Sequence, residues 1–285
     1  IYSRLFLQLL EEETGIHQQW GILTGIRPMK LYHRHYQKLK NHEAVKREMA
    51  KRYRIHIDKL NIMEQIHRVQ LEAIPDLYDI KNEVSIYIGI PFCPTKCAYC
   101  TFPAYAIQSH RKHGRVNQFL DALHEEMRLI GEELRRRDVR ITTIYFGGGT
   151  PTSIEAEEMD ELYALMYDVF PHMDKVREIT VEAGRPDTIT KEKLEVLKKW
   201  GIDRISVNPQ SYTIEKFWLA RQSGMNNINM DLIIGLPNEG VEQFRHSLKE
   251  TAKMQPESVT IHTLSFKRAS EMTQNKERYK VAPRH

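Results

Sequence analysis

The feature that most constrains the fold is a regular alternation, from about residue 84 onward, of short β-branched runs with amphipathic helical patterns. Helix-length connections between successive strands require parallel pairing with right-handed crossovers. Six strands are predicted in this part of the chain: Val84–Ile90, Ile141–Phe146, Ile179–Ala183, Asp203–Asn208, Ile228–Ile234 and Ser258–Leu264. The helical patterns between them lie near residues 116–137, 155–170, 190–200, 214–224 and 240–254.

Six such units predict an α/β fold, a partial (β/α)6 barrel of parallel strands. A dinucleotide-binding sheet would carry a Gly-x-Gly-x-x-Gly fingerprint, which the sequence lacks. Residues 1–82 are polar with helical periodicity, so they predict a mainly helical N-terminal domain that precedes a barrel over 83–285. The five histidines from His17 to His56 have no metal-ligand spacing and are predicted to lie on solvated helix surfaces. The abrupt joint at Ser211–Ile214 suggests that residues are missing there.

Composition and charge exclude several classes of protein. The 285 residues are 41% hydrophobic and 28% charged, the balance of a globular protein, and a net charge of +4 calls for no nucleic-acid partner. No apolar run is long enough for a membrane span, and the residues after Ile1 do not predict a secretory signal. The three cysteines lie too close together for a disulfide framework, which predicts a reducing compartment, the cytoplasm.

Those cysteines form a C-x3-C-x2-C motif at Cys93, Cys97 and Cys100, directly after the first predicted strand. Pro91 and Pro94 disfavour a helix, so the motif is predicted to lie on a loop at the carboxyl end of the strands. Four-iron clusters normally take four cysteines, and three would leave one iron open, as in catalytic metal sites. A Cys3His zinc site that uses His110 or His113 is the less favoured alternative.

Further polar and glycine positions follow the other strands. Gly147–Gly149 ends the second strand and permits close backbone approach, so that amides can meet a charged ligand. Glu182, Gln210 and Asp231 stand at three successive strand ends inside apolar patterns. Because the carboxyl ends of parallel strands face one mouth, these side chains are interpreted as ligand contacts.

Together these residues resemble the radical S-adenosylmethionine (SAM) superfamily. The segments Tyr87–Cys93, Phe146–Thr152 and Asp231–Pro237 are similar to the oxygen-independent coproporphyrinogen III oxidase family. Two more segments, Gly21–Pro28 and Cys93–Pro103, resemble the HemZ branch of that family. The resemblance extends over essentially the whole chain.

The resemblance implies a 4Fe-4S cluster held by the three cysteines, with SAM on the fourth iron. The SAM contacts that it implies are Tyr87, Tyr99, Gly148, Gly149, Thr150, Glu182, Gln210, Asp231 and Leu264. No protein side chain is assigned as catalytic, because the cluster and SAM carry the chemistry. Arg185, Arg204, Lys267 and Arg268 could meet the propionates of a substrate, although surface charge is the favoured interpretation for each of them.

The implied activity is oxidative decarboxylation of the propionates of coproporphyrinogen III by a 5′-deoxyadenosyl radical, a step of haem synthesis. The implied electron donor is a flavodoxin or a ferredoxin, and a C-terminal domain of the family is expected to be absent here. Phe102 stands where coproporphyrinogen dehydrogenases have a fourth cysteine. A haem-binding chaperone on the same scaffold is therefore an alternative, and a radical enzyme acting on haem or RNA is a weaker one.

Overall fold

The computed structural model describes residues 2–23, 27–208, 214–237, 239–264 and 270–275. The chain divides into two compact units, Ile1–Lys81 and Asn82–His285. The joint proposed at Ser211–Ile214 falls mainly on residues 211–213, which lie outside the described residues, as do Gln210, Lys267 and Arg268. Within the described ranges, no helix has both the length and the apolar character that crossing a membrane requires.

The first unit contains four helices in its described part: α1 (Tyr2–Thr14), α2 (Pro28–Leu39), α3 (His42–Tyr53) and α4 (Ile57–Ala73). Helix α3 begins where the Asn41 side chain accepts a hydrogen bond from the Ala44 amide, which satisfies an otherwise free donor. Helices α2 to α4 enclose a small apolar core, made of Tyr32, Val45, Met49, Ile55, Leu60 and Met63.

The histidines of this unit differ from the prediction. His33 and His42 are partly buried, and their ring centroids lie 4.6 and 5.1 Å from that of the fully buried His67. His35 is also partly buried, against the ring of Tyr53. The prediction of solvated surface was therefore wrong for these three histidines, which pack against tyrosine rings of this unit. His17 and His56 are exposed, as predicted.

The second unit is built on a six-stranded sheet in which every pairing is parallel. Its strands are β1 (Glu83–Ile90), β4 (Arg140–Gly148), β5 (Glu178–Glu182), β6 (Arg204–Val207), β7 (Ile228–Ile234) and β8 (Ser258–Thr263), in the spatial order β1-β4-β5-β6-β7-β8. Two short strands, β2 (Phe92–Cys93) and β3 (Tyr105–Ala106), form a separate parallel pair beside the sheet.

Helices connect the strands of the sheet. They are α5 (Ile107–Lys112), α6 (Arg115–Arg136), α7 (Ala156–Val169), α8 (Lys191–Lys199), α9 (Ile214–Gln222) and α10 (Val241–Met254), and α11 (Glu271–Gln274) follows the last strand. The predicted α/β fold class is confirmed, and every predicted strand is found within two residues of its expected bounds. Across the described residues, β1 and β8 are the two edges of the sheet, which does not close into a full barrel.

The two faces of the sheet differ in polarity because strand residues alternate in direction. One face packs on the helices through buried side chains such as Ile144, Val181 and Ile205. The other face, here called the polar face, carries Thr180, Ser206 and Asn229, which are buried but hydrogen-bonded. The same alternation places the strand-end residues Glu182 and Asp231 on the polar face.

Candidate active site at the carboxyl ends of the strands

The cysteine segment is held against the glycine run by backbone hydrogen bonds. The Gly149 amide donates to the Ile90 carbonyl at 2.8 Å, and the Thr150 amide donates to the Phe92 carbonyl at 2.7 Å. A Cβ on Gly149 would lie 2.5 Å from the Phe92 carbonyl oxygen, so only glycine permits this approach. The Gly149 amide, one of the three amides of the glycine run, is therefore engaged by protein and is not free for a ligand.

The three thiols of the motif open into one pocket, and each is partly buried. Thr150 donates its hydroxyl to Cys93 Sγ at 3.4 Å. Burial raises the pKa of the Cys93 thiol, the nearby thiols of Cys97 and Cys100 add to that effect, and the Thr150 hydrogen bond opposes it. Burial thus disfavours ionisation of the Cys93 thiol, and a metal ion bound at its sulfur would favour the thiolate.

The pocket brings together nine of the residues that the sequence singled out. They are Cys93, Cys97, Tyr99, Cys100, Gly148, Gly149, Thr150, Glu182 and Asp231. Three predicted residues are not among the described lining of this pocket. Tyr87 lies on the polar face, on strand β1 next to β4. Leu264 is buried beyond the end of β8, where its amide donates to the Ile234 carbonyl. Gln210 lies outside the described residues.

Both carboxylates of the pocket are oriented by hydrogen bonds from the polar face. Tyr145 donates its hydroxyl to Glu182 at 2.7 Å. Asp231 accepts from the Ser206 hydroxyl at 2.8 Å and from the Asn229 amide at 2.8 Å. Burial raises the pKa of Glu182 and the charge of Asp231 adds to it, whereas the Tyr145 hydrogen bond lowers it. The two carboxylates thus form a fixed pair of acceptors that a ligand with N–H or O–H donors would stabilise.

Two residues of the site were missed from the sequence or were interpreted differently. Arg185 is not a free surface charge, because its Nη1 donates to Cys97 Sγ at 3.1 Å. Tyr145 lies in register with Tyr87 on β1, and the two rings stack with centroids 5.9 Å apart. Tyr145 could have been identified from the sequence, because the parallel pairing of β1 with β4 places it beside Tyr87. Arg185 could not, since only its position three residues after Glu182 connects it with the site.

The zinc alternative lacks a suitable group of ligands in this structure. In the part of the chain that the structure describes, no three His, Cys, Asp or Glu side chains converge as they would on a single metal ion. Nδ1 of His110 lies 3.1 Å from the Ala106 carbonyl oxygen, and Nδ1 of His113 lies 2.8 Å from that of Ser109. The cysteines of a four-iron cluster bind different irons, so they need not converge on one point as zinc ligands do.

Comparison with known proteins identifies a radical SAM domain in this chain. The sequence model of the radical SAM superfamily matches residues 87–216, which include all three cysteines and the glycine run. Among solved structures, coproporphyrinogen III oxidase (HemN) from Escherichia coli, a radical SAM enzyme, superposes with a TM-score of 0.58 at 25% identity. That match covers 70% of this chain and 48% of HemN.

Two Bacillus subtilis relatives refine the assignment. The oxygen-independent coproporphyrinogen-III oxidase-like protein HemZ is 63% identical over 99% of this chain and 59% of its own length. The haem chaperone HemW is 34% identical over 63% of this chain and 50% of its own length. The chain therefore carries a radical SAM domain and is similar over nearly its whole length to HemZ. It spans between half and three fifths of the length of these two relatives.

The residues present fit the cofactors that this family uses, a 4Fe-4S cluster and SAM. Three thiols line one pocket, as ligands of such a cluster would, and the sequence contains no fourth cysteine. The paired acceptors Glu182 and Asp231 lie in the same pocket, where they suit the ammonium and hydroxyl donors of a nucleoside-amino acid such as SAM. Gly184 also lines the pocket and leaves space beside it, since a Cβ at this position would have the Asn208 Cβ, 4.0 Å away, as its nearest neighbour.

Proposed function

We propose that this protein is a radical SAM oxidoreductase of porphyrin and haem biosynthesis that decarboxylates propionate side chains oxidatively. The observation that carries the proposal is the single pocket in which three cluster-type thiols face two oriented carboxylates. The names of the relatives HemZ and HemN support coproporphyrinogen III as the substrate. In that reaction each propionate loses carbon dioxide, one hydrogen atom to the 5′-deoxyadenosyl radical and one electron to an external one-electron acceptor, and becomes a vinyl group.

The roles of this chain's residues follow from the site. Cys93, Cys97 and Cys100 would hold the cluster, and Glu182 and Asp231 would bind the donors of SAM. When bound, the cluster and SAM supply the 5′-deoxyadenosyl radical that removes the substrate hydrogen. The protein contributes the positioning of the ligand, because the polar side chains of the pocket are already fixed by hydrogen bonds before any ligand binds.

A second function, haem binding for transfer to another protein, is supported by Phe102. This residue replaces the fourth cysteine of the family pattern, and its ring is 59% exposed at the pocket. An exposed aromatic ring offers a flat apolar surface for a tetrapyrrole. The similarity to the haem chaperone HemW also supports haem binding.

One experiment separates the two functions. Protein reconstituted anaerobically with iron and sulfide is incubated with SAM, a low-potential reductant and coproporphyrinogen III. The oxidoreductase proposal expects a vinyl product at multiple turnovers, and Cys93→Ala is expected to abolish both the brown colour and the product. Cleavage of SAM with an unchanged porphyrinogen would reject this substrate, and stoichiometric haem binding with transfer to an acceptor would favour the chaperone.

The partners and the location are part of the same proposal. The reducing electron would come from a flavodoxin or a ferredoxin, because the chemistry needs a one-electron donor of low potential. A cytoplasmic location is supported by three cysteines that form no disulfide in the described structure. The proposed electron donor is tested by adding the host's reduced flavodoxin to the reconstituted protein and measuring the rate of cluster reduction.

A further inference from the structure

We propose that Arg185 is a positioning residue for the cluster: its guanidinium donates to the Cys97 thiolate and makes the cluster easier to reduce. The inference rests on the proposed function, since it presumes a cluster on the three cysteines. Neither the sequence motif nor the comparisons assign a role to this arginine. The cysteine motif explains how the cluster is held, whereas Arg185 would set how readily it accepts an electron.

The guanidinium is aimed at the cysteine loop by two hydrogen bonds. Nη1 lies 3.1 Å from Cys97 Sγ, and Nη2 donates to the Thr95 hydroxyl at 2.9 Å. Nε lies 3.6 Å from a carboxylate oxygen of Asp187, a side chain that is itself 56% exposed. The Arg185 side chain is only 23% exposed, so its charge is poorly screened on the side that faces the thiol.

The backbone that carries Arg185 is also fixed. The Arg185 carbonyl accepts hydrogen bonds from the amide and the hydroxyl of Thr188, at 3.0 and 2.7 Å. The Thr188 hydroxyl lies 2.7 Å from that of Thr152, and both side chains are buried. Arg185 is thus anchored to the turn that follows the glycine run, which itself holds the cysteine segment. The contact with Cys97 is therefore preorganised rather than a chance placement of a long side chain.

The direction of the effect follows from charge. Reduction adds one electron to the cluster and its three thiolates, and no proton moves, because arginine stays protonated. A fixed positive charge and an N–H donor at one of the sulfurs stabilise the more negative, reduced state. The Thr150 hydroxyl gives Cys93 only a neutral donor. Of these two contacts, the one from Arg185 is the charged one and should have the larger influence on the potential.

The test is a potentiometric titration of the reconstituted cluster without SAM or substrate, with dithionite as reductant and the reduced cluster read by electron paramagnetic resonance. Arg185→Gln is expected to shift the midpoint potential to a more negative value, and Arg185→Lys to lie between it and the wild type. The matched control is Lys96→Gln, which removes a positive charge from the same loop at an exposed position. It is expected to shift the potential much less.

The outcomes separate this inference from the proposed function. Wild-type protein that takes up no iron and sulfide overturns both. If the wild type holds a cluster but Arg185→Gln leaves its potential unchanged, or shifts it no more than Lys96→Gln does, the inference about Arg185 is wrong. An unchanged potential with weaker SAM binding would make Arg185 a SAM ligand instead. If Arg185→Gln retains no cluster, Thr95→Val tests the same contact, with a smaller negative shift expected because the charge stays.

Discussion

The hydroxyl of Tyr145 donates to Glu182 at 2.7 Å across two neighbouring parallel strands, and this bond fixes the carboxylate in the pocket with the three cysteines. Tyr145 is in turn stacked on Tyr87, its register partner on β1. Gly147 makes this stack possible, because a Cβ there would lie 2.8 Å from the Tyr87 hydroxyl. The site therefore depends on a row of residues across three strands, not on the cysteine motif alone.

Tyr145→Phe is expected to weaken SAM binding about tenfold, since a hydrogen bond to a charged group contributes about 1.5 kcal/mol at the lower end of its range. The ring and its stacking on Tyr87 are retained, so stability should change little. Isothermal titration of reconstituted protein with SAM measures the effect. Tyr167→Phe is the control, because its hydroxyl donates to the Trp200 carbonyl away from the pocket. Equal affinities in wild type and Tyr145→Phe would show that Glu182 does not need this bond.

Glu182 also predicts a pH dependence of the apo protein. Because burial raises its pKa in the folded state above the ordinary 4.5, folding favours the protonated carboxyl. This stabilising contribution is fully present below pH 4.5 and is lost as the pH rises through the folded pKa. Glu182→Gln removes the ionisation, so its melting temperature relative to wild type should increase from pH 4 to neutral pH. A constant difference across that range would contradict the raised pKa.

The Asn229 amide is the centre of the network that orients Asp231. Its Nδ2 donates to Ser206 at 2.9 Å and to Asp231 at 2.8 Å, while its Oδ1 accepts from Ser258 at 2.8 Å and Thr260 at 3.0 Å. The residue is only 3% exposed, so Asn229→Ala leaves buried groups without partners. We expect a loss of about 3 kcal/mol in the free energy of unfolding, measured by urea denaturation. Asn117→Ala, on an exposed position of α6, should stay within about 0.5 kcal/mol of wild type.

The sequence was sufficient to predict the strands and their parallel order. Each strand is a β-branched run such as Ile228–Ile234, whose pattern is local and whose predicted bounds match those observed. The strand-end positions of Glu182 and Asp231 could also be predicted, because the topology directs such residues to one edge of the sheet. Whether these side chains bind SAM stays a prediction.

The partners of these residues could not be predicted, because they depend on contacts distant in sequence. Arg185 reaches Cys97 across 88 positions, and nothing in the local pattern separates it from a surface arginine. The burial of His33 against His67 likewise depends on how α2 packs on α4. The glycine run was identified from the sequence, but the use of the Gly149 amide to hold the cysteine segment appears only in three dimensions.

Gly149→Ala tests that contact directly. The new Cβ would overlap the Phe92 carbonyl at 2.5 Å and the Ile90 carbonyl at 2.9 Å, both of them backbone atoms that cannot rotate away. We expect a cost of about 1–3 kcal/mol in stability and a large loss of bound iron after reconstitution, because the cysteine segment must shift. Gly184→Ala, where the nearest atom is 4.0 Å away, should retain wild-type stability and iron content. Equal iron in the two variants would show that the cysteine segment tolerates displacement.

His67 predicts an acid-sensitive N-terminal unit. Burial lowers its pKa to about 4, and the nearby His33, His42 and Arg68 add to this, whereas Glu64 opposes it. The Tyr78 hydroxyl lies 2.8 Å from Nε2 and 2.7 Å from His33 Nδ1, so the neutral ring is held in a hydrogen-bonded chain.

A histidine whose folded pKa is depressed stabilises the fold above its unfolded pKa of about 6.5, and this contribution is lost as the pH falls towards 4. The loss is at most about 3.4 kcal/mol, at 1.36 kcal/mol per pKa unit. Titration of the ring protons by NMR should give His67 an apparent pKa well below the 6.5 of an ordinary histidine. His67→Gln should flatten the fall in stability between pH 6.5 and 4. An apparent pKa near 6.5 for His67 would mean that its ring is hydrated in solution.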